Sequence, residues 1–140
     1  MNLAELAESL PNGLHDAELA RWTVDYVART AVLELELWVA TDDSPRELYR
    51  PARLTLSGVE YLVIEPPDPT YPFQGSKSIT IDLSSEATEF VPQAGAGTAF
   101  RLFVAEWNSF ICGAASRAEL EWVGPAAPRV APDIKTQLQR

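Results

Sequence analysis

The chain of 140 residues contains one cysteine, Cys112, and one histidine, His15. A single cysteine permits no disulfide within the chain, which indicates a reducing compartment and a core that holds together without cross-links. One histidine and one cysteine cannot supply the four nitrogen or sulfur ligands of a closed structural zinc site. The best cluster of oxygen ligands, Asp42-Asp43-Ser44, lacks the spacing of a calcium-binding loop. We therefore expect no bound metal and no cofactor.

The sequence also lacks a long apolar run and a basic N-terminus. No segment approaches the roughly 18 apolar residues that a membrane-spanning helix needs. The first ten residues, MNLAELAESL, carry acids where a signal peptide needs a basic region. We expect a soluble, cytoplasmic protein with no membrane partner.

Basic residues are few, with 11 Lys and Arg against 20 Asp and Glu, which gives a net charge of −9. Residues 124–140 carry three basic side chains and one acidic side chain, so residues 1–123 hold a net charge of −11. Nucleic-acid binding depends on neutralising phosphates with Lys and Arg, so this composition argues against a DNA or RNA partner. A basic protein partner fits the charge, although most acidic surfaces only keep proteins soluble.

The remaining composition is that of one globular domain, with 46% apolar and 22% charged residues. Across Ala31–Ala40, AVLELELWVA, apolar residues alternate with glutamate and tryptophan. This period of two is typical of a half-buried strand in an antiparallel sheet. We interpret residues 1–123 as one β-rich domain and residues 124–140 as a mobile tail rich in proline and alanine.

Similar alternation elsewhere predicts a mainly β fold, an antiparallel sandwich, half-barrel or curved sheet of six or seven strands with a short N-terminal helix. Asn2 and Glu5 form a capping-box pattern for a helix ending near Leu10. A β-bulge near Ala20-Arg21 restores the phase of the first strand. The other predicted strands are 50–57, 59–64, 78–83, 99–107 and 110–122, with a proline-rich loop at 65–76 and a flexible turn at 93–98.

Two short motifs, Gly13-Leu14-His15-Asp16-Ala17 and Trp107-Asn108-Ser109-Phe110-Ile111, carry a resemblance to a known family. The chain resembles an uncharacterised family of small bacterial β-rich proteins with similarly placed motifs. It is also similar in part to immunity proteins of polymorphic toxin systems. The resemblance implies a β-rich fold and no assigned chemistry, and it transfers no catalytic residue.

His15 and Asp16 are the first candidate site residues. Neighbours in a strand point to opposite faces, so a strand would not let them form a catalytic His–Asp pair with each other. His15 can instead meet a distant acid and a serine such as Ser109, although no nucleophile motif supports catalysis. The alternative is a structural histidine at a strand entry and an aspartate that caps a turn.

Glutamates spaced two apart also share a face of a strand, as Glu34 and Glu36 do. Such a pair has a spacing that a glycosidase can use. The simpler interpretation is a set of cross-strand ion pairs with arginines, for which the candidates are Arg21, Arg53, Arg101 and Arg117. Cys112 lies in an apolar strand, where a thiol usually packs as an inert side chain.

Trp38 lies on the acidic side of its strand, and Trp107 and Asn108 lie at a hairpin end. Exposed aromatics beside charges are typical anchors of protein interfaces, whereas a covered sheet would make these rings part of the core. We therefore consider Trp38, Trp107 and Asn108 as binding residues together with His15 and Asp16.

Three functions follow from these patterns. The first is a non-enzymatic protein-binding domain, in its sharpest form an immunity-type protein that neutralises a basic partner. The second is a small-ligand-binding or hydrolytic protein with a pocket near His15 and Asn108. The third is a self-associating structural protein that forms a homodimer.

Overall fold

The structure is a computed structural model that describes residues 1–71, 77–84 and 97–129. Within these ranges one short helix and nine strands form a mainly β fold, and all the strands join one antiparallel sheet. The elements are α1 Leu3–Glu8, β1 Ala17–Asp25, β2 Thr30–Trp38, β3 Leu48–Ser57, β4 Tyr61–Ile64, β5 Ile79–Leu83, β6 Thr98–Val104, β7 Ser109–Ala115, β8 Arg117–Trp122 and β9 Ala127–Pro128.

The strand order is β4-β7-β6-β5-β1-β2-β3-β8, and β9 also pairs with β3. The sheet is open. The prediction of a mainly β, antiparallel fold with a short N-terminal helix is confirmed. The strands outnumber the six or seven expected. Residues 110–122 divide at Ser116 into two strands with different neighbours, and Ala127–Pro128 adds a short ninth strand.

The first hairpin is formed by β1 and β2, and it contains the predicted bulge. The pairing register shifts between Leu19 and Arg21. After this shift Trp22 and Val24 pack against the core, as the corrected phase requires.

The core lies on one face of the sheet. The largest fully buried side chains come mainly from the neighbouring strands β2 and β3, and include Leu33, Leu37, Leu54 and Leu56. Helix α1 contributes Leu3, Leu6 and Ala7 to the same cluster. A helix this short is marginal in isolation, so its stability depends on this docking.

The polar sides of the strands carry ion pairs. Glu34 lies 3.5 Å from Arg21 across the hairpin, and Glu121 lies 3.5 Å from Arg53 across β3 and β8. Arg117 pairs with Glu119 within β8. Of the four candidate arginines, Arg101 differs, because it is buried with its guanidinium carbon 3.4 Å from the centroid of the Phe110 ring.

The beginning of the segment predicted to be a mobile tail packs on the sheet. Ala127 pairs with Tyr49 through β9, and the guanidinium of Arg129 contacts Glu18 at 3.2 Å and Glu36 at 2.6 Å. Residues 130–140 and most of the flexible turn predicted at 93–98 lie outside the described residues. Among the described residues no helix is long and apolar enough to cross a membrane.

Candidate functional site

The site begins in the turn between α1 and β1, residues 11–16. Gly13 has φ +58° and Asp16 has φ +52°, a left-handed conformation that Gly and Asp tolerate better than most residues. The His15 N–H donates to the Asn12 carbonyl at 3.1 Å, and Leu14 is buried in the core. His15 and Asp16 therefore lie in a turn, and the strand rule that would separate their side chains does not apply.

Asn12 fixes this turn to the end of β2. Its side-chain amide donates to the carbonyls of Trp38 at 3.1 Å and Ala40 at 2.8 Å. The indole N–H of Trp38 donates to the Arg46 carbonyl at 2.7 Å. As a result the Trp38 ring stands beside the His15 imidazole, with 5.8 Å between ring centroids.

Asp82 on β5 completes the cluster. Ala17 pairs with Ile81 across β1 and β5, so the same register places Asp82 opposite Asp16. One carboxylate oxygen of Asp82 accepts the His15 Nδ1–H at 2.5 Å and the Asp16 backbone N–H at 3.2 Å. His15 Nε2 lies 3.4 Å from the Asp16 carboxylate. The imidazole thus bridges two acids.

This arrangement raises the pKa of His15 above its ordinary value. The main cause is the hydrogen bond to Asp82, and the negative charges of Asp82 and Asp16 act in the same direction. Partial burial opposes the shift. Like charges directly opposite each other on paired strands are unfavourable, so a protonated imidazole between the two carboxylates stabilises this end of the sheet.

His15, Asp16 and Asp82 also have the donor set for a metal ion. One ligand atom from each residue lies within 4.8 Å of the others. However, a metal ion on His15 Nδ1 would have to replace the hydrogen bond to Asp82. Asp42-Asp43-Ser44, the cluster considered from sequence, forms a turn closed by a 3.1 Å hydrogen bond from the Ser44 N–H to the Thr41 carbonyl.

A cleft of about 660 Å³ adjoins the His15–Asp82 pair. It lies between α1, the turn that follows it, the end of β5 and the beginning of β6. Its apolar walls are Leu3, Ala4, Ala7, Leu10, Leu83, Ala99 and Phe100. Among the described residues its charged side chains are Glu8, His15 and Asp82, so the acids outnumber the one imidazole. Concave apolar sites with a few convergent polar groups are the usual form of small-molecule sites.

Trp107 and Asn108 lie apart from this cleft, in the turn between β6 and β7. Asp82 pairs with Phe103, whereas Asn108 lies five residues further along the chain, beyond the end of β6. The Asn108 side-chain amide donates to Asp68 at 3.1 Å, and the Trp107 carbonyl accepts the Asp68 N–H at 2.9 Å. These two residues therefore fasten the proline-rich loop after β4. The structure groups His15, Asp16 and Trp38, and it places Trp107 and Asn108 elsewhere.

Asp82 is not among the site residues predicted from the sequence. The aspartate looks like any polar residue of a short alternating strand, SITIDL, and its partner His15 is 67 positions away. Only the pairing of β5 with β1 brings them together. Cys112, by contrast, is buried as predicted, and burial raises the pKa of its thiol.

Comparisons with models of known protein families, with curated proteins and with solved structures found no match. The resemblance to small bacterial β-rich proteins and to immunity proteins therefore stays a prediction.

Proposed function

We propose that this protein is a non-enzymatic binding domain for a small amphipathic cation, such as an alkylamine. The observation that carries the proposal is the apolar cleft of about 660 Å³ with the His15–Asp82 pair at its edge. The apolar walls suit a hydrocarbon body, and the charged edge suits a polar head group.

The sign of the charge favours a cationic head group. Asp82 and Asp16 contact the one imidazole and Glu8 lines the same cleft, so the acids outnumber the cation even when His15 is protonated. An anionic head group would meet carboxylates on both sides of the imidazole.

Binding is better supported than hydrolysis. The hydrogen bond from His15 Nδ1 to Asp82 resembles the orientation of a catalytic base. However, His15 Nε2, which would have to face a nucleophile, lies against the Asp16 carboxylate at 3.4 Å. Ser109, the serine considered as a nucleophile, is buried on β7 opposite Val104, so strand β6 lies between it and Asp82 on β5.

The proposal of a basic protein partner has less support on the polar faces of β1, β2, β3 and β8. Glu18, Glu34, Glu36, Glu119 and Glu121 each pair with an arginine. Exposed pairs of this kind contribute only about 0–1 kcal/mol each, but they leave less unpaired negative charge for a docking surface. Another part of the sheet offers a better docking surface for a protein partner.

The test is calorimetric titration with three ligands of one chain length: octylamine, octanoate and octanol. We expect octylamine to bind, octanol to bind more weakly and octanoate to give no signal. Asp82→Asn should weaken octylamine binding by about tenfold, which corresponds to about 1.4 kcal/mol. Asp42→Asn is the matched control, because it removes the same charge from an exposed turn away from the cleft.

The pH dependence provides a second readout. A protonated imidazole repels a cation, so octylamine affinity should rise as the pH increases through the raised pKa of His15. Equal binding of all three ligands, or an Asp82→Asn affinity equal to that of Asp42→Asn, would contradict the proposal.

A further inference from the structure

Strand β4 and the second half of β1 each have an edge that no described strand pairs with, and these two edges face the same gap. Among the described strands, β4, Tyr61–Ile64, pairs only with β7. Strand β1 pairs with β5 only through Ala17–Leu19, so Arg21–Asp25 have β2 on one side and none of the described strands on the other. We call the gap between Arg21–Asp25 and Tyr61–Ile64 the seam.

The hydrogen-bonding groups of β4 can be assigned from its register. The Glu65 N–H donates to the Phe110 carbonyl at 3.0 Å, on the same register that pairs Ile64 with Ile111. Hydrogen-bonded and non-hydrogen-bonded pairs alternate in an antiparallel ladder. The N–H and C=O groups of Leu62 and Ile64 therefore point away from β7, into the seam.

The side chains of this edge are apolar and partly exposed. Val63 is 49% exposed and Ile64 is 55% exposed. The strand reads YLVI, without the proline or charged residues that usually protect an edge strand from pairing. An unprotected edge of this kind is a template for another strand.

Two clefts lie along the seam. One of about 370 Å³ is lined by Val24 of β1 and by Tyr61 and Leu62 of β4. The other, of about 300 Å³, is lined by Trp22 and Ile79, and Ile64 borders both clefts.

The same region holds buried polar groups that have no hydrogen-bond partner among the described residues. They include the indole N–H of Trp22 and the hydroxyl of Tyr61. Buried polar groups without a partner are uncommon in folded proteins, and here they line the space that an added strand would fill. At one end of the seam the Arg29 guanidinium donates to the Val59 and Glu60 carbonyls at 2.8 and 2.7 Å, which ties the first hairpin to the beginning of β4.

We propose that the seam binds an extended, mainly aliphatic segment of another protein, which adds as a strand along β4. The backbone groups of Leu62 and Ile64 that point into the seam match an extended partner, and the mainly apolar lining of the two clefts favours aliphatic side chains at alternate positions. This surface is separate from the His15 cleft.

A second copy of the chain is a poorer occupant than a foreign segment. Edge-to-edge pairing of two β4 strands would join only four residues from each copy, a length of about 13 Å. A stable interface takes about 20–30 residues from each partner, so a contact of four residues falls far short of it. A segment within the seam uses the β4 edge and fills both clefts.

The test is selection of a random heptapeptide phage library on the full chain. We expect enrichment of peptides with aliphatic residues at alternate positions. Ile64→Lys should reduce their binding by about tenfold or more, because it adds a charge to the edge and to both clefts. Val123→Lys is the matched control, since Val123 is 49% exposed and lies outside both clefts. It should bind like the unmodified protein.

Hydrogen exchange then locates the selected peptide. Protection of the Leu62 and Ile64 amides supports the proposal. Three results would overturn the proposal. The first is that the library is enriched no more on the unmodified protein than on the Ile64→Lys variant, and the second is that the selected peptide protects only other amides. The third is that the Leu62 and Ile64 amides are already protected without peptide and light scattering shows a dimer. The last result assigns the seam to a second copy.

Discussion

At the scale of single residues, the bridge formed by His15 explains why two aspartates can face each other across β1 and β5. Asp16 and Asp82 would repel each other if nothing lay between them. The imidazole contacts both carboxylates, at 3.4 Å through Nε2 and at 2.5 Å through Nδ1. The stability that this bridge contributes depends on the charge of the imidazole and therefore on pH.

Replacing His15 with asparagine should reduce stability in acid and leave it nearly unchanged in base. The folded-state pKa of His15 is raised, so its contribution is fully present below the unfolded pKa of about 6.5 and is lost as the pH rises through the folded pKa. Urea unfolding of the two proteins across this range measures the difference. A gap in stability that widened with increasing pH would refute the bridge.

Because His15 is the only histidine, its imidazole protons can be followed without assignment ambiguity by NMR. Asp82→Asn should move the measured pKa of His15 down towards its ordinary value, since the main cause of the shift is removed. Asp42→Asn should leave it in place.

At the scale of single elements, the predictions that succeeded depend on short-range signals. The capping box of α1 joins residues three apart, and both of its hydrogen bonds form. The bulge in β1 follows from a change of phase within one strand. The break at Ser116 was missed, because no glycine or proline marks it. There the Ser116 N–H donates to the Ser57 carbonyl at 3.0 Å, a long-range contact that the local sequence does not reveal.

The capping box gives a stability prediction for α1. Asn2→Ala removes the oxygen that accepts the Glu5 N–H at 2.8 Å, and it should lower the free energy of unfolding by about 1 kcal/mol. Asn2→Asp keeps an acceptor at the same position and should be close to neutral. Thermal or urea unfolding followed by circular dichroism checks both variants. Equal losses in the two variants would show that the hydrogen bond at this cap does not stabilise the helix.

At the scale of the whole molecule, alternation predicted the strands but left their order open. Neighbours in sequence such as β1 and β2 pair, as expected for a hairpin. The pairings of β1 with β5 and of β4 with β7 join segments far apart in the chain, and these two pairings create the His15 cluster and the seam. Hence His15, Asp16 and Trp38 could be named from the sequence, whereas Asp82 and the β4 edge could not.

The position of the core on one face of the open sheet makes a prediction about paired leucines. Leu54 and Leu120 face each other across β3 and β8, but Leu54 has no solvent exposure and Leu120 is only partly buried. Leu54→Ala should lower the free energy of unfolding by about 2–5 kcal/mol, because it loses apolar burial and leaves a cavity. Leu120 lies at the sheet edge, where neighbouring side chains and water can fill the space that a smaller residue leaves. Leu120→Ala should therefore lower the free energy of unfolding by only about 1 kcal/mol. Urea unfolding followed by tryptophan fluorescence measures both losses. Equal losses would mean that β8 is covered on the side that the structure leaves partly open.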